Sequence, residues 1–511
     1  MNYRFVCKHL GLLTGVLGAS VLIISALDWF MWWESTPAEI AGTKALLITG
    51  VVGWLFAVIL LGMGRKAEEY LGRREAMLLV ALSWIFGAAL SGLPYFLWSI
   101  EVTEAGHPFR DFTACYFEAM SGLTTTGATV LSDIHVLPTS LLLWRATTHW
   151  LGGLGIVVLF VAVLPTLGVG GKKLFNVEAP GPSQPGVKPR IRETARLLWF
   201  IYVGMTVAQT ILLMFTGMNL FDAICHTFAT LATGGFSTKN ASAGAYTPAS
   251  QIVIIVFMIM AGANFGLYYH ILQGHFKRFW RDPEFQLYLG VITIASVILI
   301  FSLYGNNLVL TDGTTIEGTV ANTTLHSVFQ VVSIQTTTGF GTVDSDLWGF
   351  VPKMTLLILM FIGGCAGSTG GGIKVIRILV GFKIIVAEIE RVFRPNVVRS
   401  IKVGNSVIDP AMRQGVLVYI LGIVAIFVIG SIALVLIEQN YGQGIDIVTA
   451  VTASAATLHN VGPGFERVGA IQNYGWFSSP SLAVMSLLMA LGRLEVYALL
   501  VLFVPTFWRK P

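Results

Sequence analysis

Gln335-Thr336-Thr337-Thr338-Gly339-Phe340-Gly341 closes a 14-residue, mainly apolar stretch, 322–335. Fourteen residues of helix rise only about 21 Å, short of a hydrocarbon layer about 30 Å thick. The stretch therefore reads as a half-helix that enters a membrane, with extended chain leading back out. Three more stretches repeat the design. Residues 111–123 end in Leu123-Thr124-Thr125-Thr126-Gly127-Ala128-Thr129, residues 219–231 in Leu231-Ala232-Thr233-Gly234-Gly235-Phe236-Ser237, and residues 446–458 in Leu458-His459-Asn460-Val461-Gly462-Pro463-Gly464. Gly127, Gly235, Gly339 and Gly462 fall in register at spacings of 108, 104 and 123 residues, a near-constant period. Each stretch is introduced by a residue able to cap a helix: Asp111, Asn219 or Asp222, Asn322, and Asp446. One such segment is an ordinary Gly/Thr turn; four in register describe half-helices arranged around one axis.

The residue types fit a cation path. A dehydrating cation needs several carbonyl oxygens turned inward, and a backbone facing a narrow axis leaves no room for a Cβ. Irregular backbone at membrane depth is tolerated only where it is buried in protein or lines a watery path. The C-terminal ends of the half-helices add negative dipole ends facing the cavity. The candidate cation ligands are Thr125, Thr126 and Gly127, then Thr233, Gly234 and Gly235, then Thr337, Thr338 and Gly339, and last Asn460, Val461 and Gly462. Threonine hydroxyls either add oxygen ligands or tie each turn to its half-helix.

The rest of the chain agrees with a membrane setting. Apolar residues make up 55% of the 511 positions, charged residues 12%, and the mean hydropathy is +0.74, far from soluble domains. Ten spans are expected, at 9–33, 43–63, 76–98, 139–165, 193–217, 248–272, 284–304, 350–385, 414–437 and 480–506. Basic residues collect in alternate connections, including Arg65, Lys66, Lys172, Lys173, Lys277, Arg278 and Arg391. By the positive-inside rule those connections and both termini are cytoplasmic, and the net charge of +5 marks topology rather than a nucleic-acid site. Trp29, Trp32, Trp33 and Trp348 read as interfacial belts against membrane lipid. Cys7, Cys115, Cys225 and Cys365 show neither disulfide nor zinc spacing.

The span 350–385 is too long for one straight crossing and holds ten residues with six glycines, Gly363-Gly364-Cys365-Ala366-Gly367-Ser368-Thr369-Gly370-Gly371-Gly372. Each interior glycine costs a helix about 1 kcal/mol relative to alanine, so the helix breaks there. Close helix packing through small residues is the plainer alternative to a gate. Lys374 follows as an anchor at the inner mouth or a cytoplasmic flank. Arg493 lies deep in the final span, where a guanidinium needs a partner or a watery interior. It either raises the barrier below the filter or hydrogen-bonds carbonyls of the broken helix. Gly363, Gly364, Gly367, Gly370, Gly371, Gly372, Lys374 and Arg493 are the gate candidates. Glu118, nine residues before Gly127, with Arg145 and His149, reads as a buried ionic cluster buttressing the first turn.

Two rival classes stand beside a pore. Broken helices also bind substrate in coupled secondary transporters, though usually in inverted repeats, whereas these four units run the same way. A membrane enzyme would need its histidines in metal or acid–base spacing, and His149, His226, His326 and His459 have none. No nucleotide or organic-cofactor fingerprint occurs, so any nucleotide control must come from a partner.

These motifs resemble the TrkH/TrkG/KtrB family of bacterial potassium uptake proteins, related to HKT and Trk transporters, and the pair of extra spans before the first repeat resembles the TrkH branch. The resemblance covers nearly the whole chain. It implies K⁺ as transported ion, a bacterial inner-membrane location, a homodimer with one pore per protomer, and a cytosolic nucleotide-binding TrkA-type subunit. It also places the glycine-rich loop under the filter as a movable barrier. The fold expected is all-α and integral to the membrane: ten transmembrane helices, with four pseudo-symmetric repeats of helix, re-entrant pore helix, filter loop and helix. A two-helix unit at 1–72 precedes repeats at 73–170, 190–280, 281–403 and 404–511. The fourth turn, with His459, Asn460 and Val461, departs from the T-x-G pattern, which breaks the fourfold symmetry. Passive passage and symport with H⁺ or Na⁺ stay open, as does ion-coupled transport of another cation. The basic connections 170–192 and 388–413 are the candidate partner surfaces.

Overall fold

Caps and prolines set where the helices begin. Thr36, Thr247, Asp282 and Asp409 each accept a backbone N–H of the first turn, and each is followed by Pro37, Pro248, Pro283 or Pro410. Proline at that position gives up an N–H that has no helical partner anyway. The computed structural model describes residues 1–32, 35–67, 72–104, 106–163, 191–396, 400–404, 406–442 and 444–509. The candidate connection 170–192 lies outside the described residues except for its last two positions, as do Trp33 and Arg399.

The chain is helical almost throughout. In order, α1 spans Tyr3–Met31, α2 Pro37–Met63, α3 Arg73–Val102, α4 Phe112–Leu123, α5 Thr139–Val163 and α6 Ile191–Phe215. Then come α7 Leu220–Leu231, α8 Pro248–Gly262, α9 Phe265–Leu272, α10 Pro283–Leu303, α11 Val320–Gln335 and α12 Phe350–Phe361. The last are α13 Val375–Phe393, α14 Pro410–Tyr441, α15 Ile447–Leu458, α16 Ser479–Arg493 and α17 Tyr497–Leu500. Short helices at Phe276–Trp280 and Pro505–Trp508 and two small antiparallel hairpins, Leu308–Val309 with Thr315–Ile316 and Lys402–Val403 with Ser406–Val407, complete it.

Burial is inverted relative to a water-soluble domain. Large apolar side chains such as Leu55, Phe215, Phe301 and Ile429 face outward, while runs of threonine, the Glu118 carboxylate and Arg145 are buried. An outer surface of that kind is at home in hydrocarbon. Among the described residues, six helices are long and apolar enough to cross a membrane, and two bent pairs bring the number to eight. One apolar core joins the N-terminal unit to α4, α5, α15 and α16, and a second gathers α6 to α12.

Several expectations are corrected. The spans 248–272 and 480–506 are not continuous helices: α8 and α9 meet at 98°, and α16 and the helical residues after it at 118°. In the first, Asn264 takes the Gly266 N–H at 2.8 Å and starts a new helix. In the second, Glu495 and Val496 take left-handed φ of +53° and +67°, which ends α16 at Arg493. The third half-helix begins at Val320 with Thr319 as its cap, one turn before Asn322. Trp348, expected in a belt, is buried, whereas Trp29 is exposed.

Candidate functional site

The four half-helices α4, α7, α11 and α15 end in turns of one geometry. Thr125, Thr233, Thr337 and Asn460 have φ of +53°, +55°, +59° and +56°, and the glycine two residues later has +84°, +80°, +80° and +98°. A left-handed conformation costs a side-chain-bearing residue about 1–2 kcal/mol, so four at one register are held there by their surroundings. The N–H between them turns back into its own half-helix: Thr126 to Ser121 O at 2.8 Å, Gly234 to Ala229 O at 2.7 Å, Thr338 to Ser333 O at 2.8 Å and Val461 to Ala456 O at 2.8 Å. In a trans peptide the partner carbonyl points the opposite way. The carbonyls of Thr125, Thr233, Thr337 and Asn460 therefore face away from the half-helices.

The turns meet each other in a closed order. A Cβ on Gly127 would collide with the Gly234 carbonyl oxygen, one on Gly235 with that of Thr338, and one on Gly339 with that of Val461. A Cβ on Gly462 would meet the Thr126 oxygen at 2.5 Å, which returns to the first turn. Each glycine thus makes room for its neighbour's carbonyl. All twelve candidate ligands lie in these four turns.

The half-helices buttress the outgoing strands. Glu118 accepts Val130 N–H at 2.9 Å and the hydroxyl of half-buried Thr129 at 3.0 Å, and pairs with buried Arg145 at 2.7 Å. The Arg145 guanidinium also stacks over Phe236 at 3.9 Å, which ties the second turn to the first. His149 is not part of the ion pair; its Nδ1 bonds Gly122 O at 2.7 Å and its Nε2 receives the Phe236 N–H at 3.2 Å. His226 and Gln330 stand nine residues before Gly235 and Gly339, as Glu118 does before Gly127. His226 bonds the Ser237 hydroxyl at 3.0 Å and Gln330 donates to Val343 O at 3.3 Å. A polar residue recurring at that offset in an apolar half-helix was the signal for these two.

The glycine-rich loop lies against the inner ends of the turns. α12 stops at Phe361 and α13 starts at Val375, with Lys374 before it. Gly371 N–H donates to the Thr337 hydroxyl at 2.6 Å, and the Thr369 hydroxyl donates to Leu231 O, at the end of α7, at 2.9 Å. Gly370 offers its carbonyl to the Lys374 ammonium, and a Cβ on Gly371 would collide with His459 O. The limb through Gly364 and Gly367 docks on the break between α8 and α9: Cys365 N–H to Gly262 O at 2.8 Å, Phe265 N–H to Gly367 O at 3.1 Å. Gly363 and Gly372 close the base, where Gly363 N–H meets Ile373 O at 3.0 Å. Arg493 donates to Thr369 O at 2.7 Å and Gly152 O at 3.2 Å, so it bonds a carbonyl within the break of the 350–385 span, rather than the last carbonyls of α12, and one of α5. Glu495 instead pairs with Arg377 at 2.9 Å.

Sequence reasoning passed over a second set of glycines. A Cβ on Gly152 or Gly492 would collide with the carbonyl of Leu123 or Leu458, the last residue of α4 or α15, and one on Gly262 would crowd Thr336. These glycines let the outgoing helix press on the base of a half-helix. They follow the turn glycines by 25, 27 and 30 residues, a variable offset hidden among 55 glycines.

An apolar exterior, half-helices and an interior ring of glycine turns define a membrane transport protein, not an enzyme. The chain belongs to the TrkH family, described as a cation transport protein, which it matches over residues 95–510. It is 38% identical to the Trk system potassium uptake protein TrkH of Escherichia coli K12 over 515 aligned positions, covering 100% of both chains. It is 32% identical to the TrkG protein of the same organism, with 87% of this chain and 88% of that one covered. The crystal structure of the potassium transporter TrkH from Vibrio parahaemolyticus superposes with a TM-score of 0.86 at 32% identity, covering 100% of each chain.

Proposed function

We propose that this chain takes up K⁺ across a bacterial inner membrane through a path whose narrowest part is the ring of four glycine turns. The closed order of contacts, each turn's glycine against the next turn's carbonyl, carries this reading. Carbonyls held inward by a rigid ring replace the water shed by a bare cation, and their number and spacing set which cation is repaid for shedding it. The relatives named as potassium uptake proteins favour K⁺ as that cation.

Below the ring, residues 363–372 with Lys374 and Arg493 form the barrier that moves when the path opens. The support is direct contact: the loop bonds the second and third units, and Arg493 bonds the loop. The four repeats, the two-helix unit before them and cytoplasmic termini belong to the same reading, as do assembly as a homodimer and control by a TrkA-type subunit. For the last, the exposed Arg391 and Arg394 at the end of α13 offer a basic surface. Coupling to H⁺ or Na⁺ is the second mode of the same path.

The test is cation flux in liposomes holding the purified full chain, wild type against Gly339→Ser, with K⁺, Rb⁺, Na⁺ and Li⁺ compared. The added Cβ and hydroxyl push the Val461 carbonyl out of the ring, so discrimination among the four ions should fall. Unaltered discrimination in a folded variant removes the ring from the mechanism.

A further inference from the structure

Glu284 is the second residue of α10, directly after Pro283, and it is buried. A carboxylate inside a membrane helix calls for a partner. Its Oε1 accepts two backbone N–H groups, from Ala366 at 2.7 Å and from Ile376 at 3.1 Å. Those amides come from two limbs of the loop: Ala366 on the limb docked against the α8–α9 break, Ile376 beyond the tip in the first turn of α13. Its Oε2 is buried and, among the described residues, has no hydrogen-bond partner. A side chain that spends a buried carboxylate on two amides of one loop is fixing that loop's shape.

We propose that Glu284 is a positioning residue that clamps the two limbs of the glycine-rich loop together and so holds its tip, Gly370 to Gly372, against the third and fourth turns. The proposal rests on the reading of this loop as the barrier. One oxygen receives both donors, so the clamp needs an acceptor on a side chain of this length. Glutamine satisfies that condition, aspartate is one methylene short of reaching both amides, and alanine offers nothing.

The loop carries its own reporter. Cys365 is buried next to Ala366, while Cys115 and Cys225 are buried within the half-helices α4 and α7. The experiment measures resting K⁺ flux in liposomes and, on the same full-length protein, the rate at which N-ethylmaleimide alkylates each cysteine, read peptide by peptide by mass spectrometry. Glu284→Ala should raise resting flux and Cys365 alkylation by roughly tenfold, the equilibrium shift expected for losing the two backbone hydrogen bonds to Oε1. Cys115 and Cys225 should stay protected, and Glu284→Gln should match the wild type in both readouts. If Glu284→Ala exposes all three cysteines, the chain has unfolded and Glu284→Asp carries the comparison, with the same selective exposure of Cys365 expected.

Wild-type protection of Cys365 in the alanine or aspartate variant overturns the clamp, and so does a glutamine variant that behaves like alanine. Selective exposure of Cys365 with unchanged flux upholds the clamp and overturns the loop as barrier, which separates the two readings.

Discussion

Gly371 hands its N–H to the hydroxyl of Thr337 at 2.6 Å, so a residue of the glycine-rich loop is bonded to a residue of the third turn. The loop and the ring are therefore one hydrogen-bonded unit in this conformation. Thr337→Val keeps the shape of the side chain and deletes the acceptor, leaving a buried N–H unpaired at about 1–3 kcal/mol. Resting K⁺ flux in liposomes should rise, since the cost falls on the conformation with the loop in place. Flux equal to wild type would separate loop from ring.

Arg493 holds the same loop from the other side through Thr369 O at 2.7 Å and Gly152 O at 3.2 Å. Arg493→Ala removes both bonds and a positive charge beneath the ring, and should make the protein leak K⁺. Arg493→Lys keeps the charge but lacks the planar fork that serves two carbonyls, and should leak to an intermediate degree. If lysine and alanine leak equally, the two bonds and not the charge hold the loop; if neither leaks, Arg493 has no part in the barrier.

Gly492 lies against Leu458 O at the base of the fourth half-helix. Gly492→Ala forces α15 and α16 apart, a strain of about 1–3 kcal/mol. A lower melting temperature in detergent, with reduced K⁺ flux, is expected. A melting temperature at or above wild type would mean the close approach is dispensable.

Asp346 lies in the connection after the third turn, where its Oδ1 accepts the Glu466 N–H at 2.9 Å and links it to the connection after the fourth turn. Burial pushes its carboxyl up from 3.8 to about 6. Because the folded value lies above the unfolded one, the stabilisation is fully present below about 3.8 and is lost as pH rises through about 6. The melting temperature should therefore climb as pH falls from 7.5 toward 5, and Asp346→Asn, which keeps the acceptor, should remove that part of the climb. An identical pH profile in the two proteins would refute it.

Much of this structure was legible in the sequence because its signals are local. Length and apolarity marked the helices, and Asp111, Asn219 and Asp446 cap the half-helices as their chemistry foretold. Six glycines in ten residues foretold the break after Phe361. The bends after Gly262 and Arg493 were hidden, because a single Asn264 and the run Leu494-Glu495-Val496 carry no strong helix-breaking signal. Their geometry comes from tertiary contacts, such as the Arg377–Glu495 pair, that join residues 118 positions apart. The same holds for the order in which the turns touch: the glycines announced themselves, but which carbonyl each one shelters depends on neighbours about a hundred residues away for three of them and, for Gly462 against Thr126, 336 away.

That shelter has a bearing on biogenesis. A turn whose glycine faces an empty space, because the neighbouring stretch has yet to be synthesised or inserted, has nothing to fix its left-handed residues. The aperture can be completed only once residues near 462 arrive to seal it against those near 126. Until then a nascent or truncated chain holds inserted helices and a ring still open between its first and fourth turns.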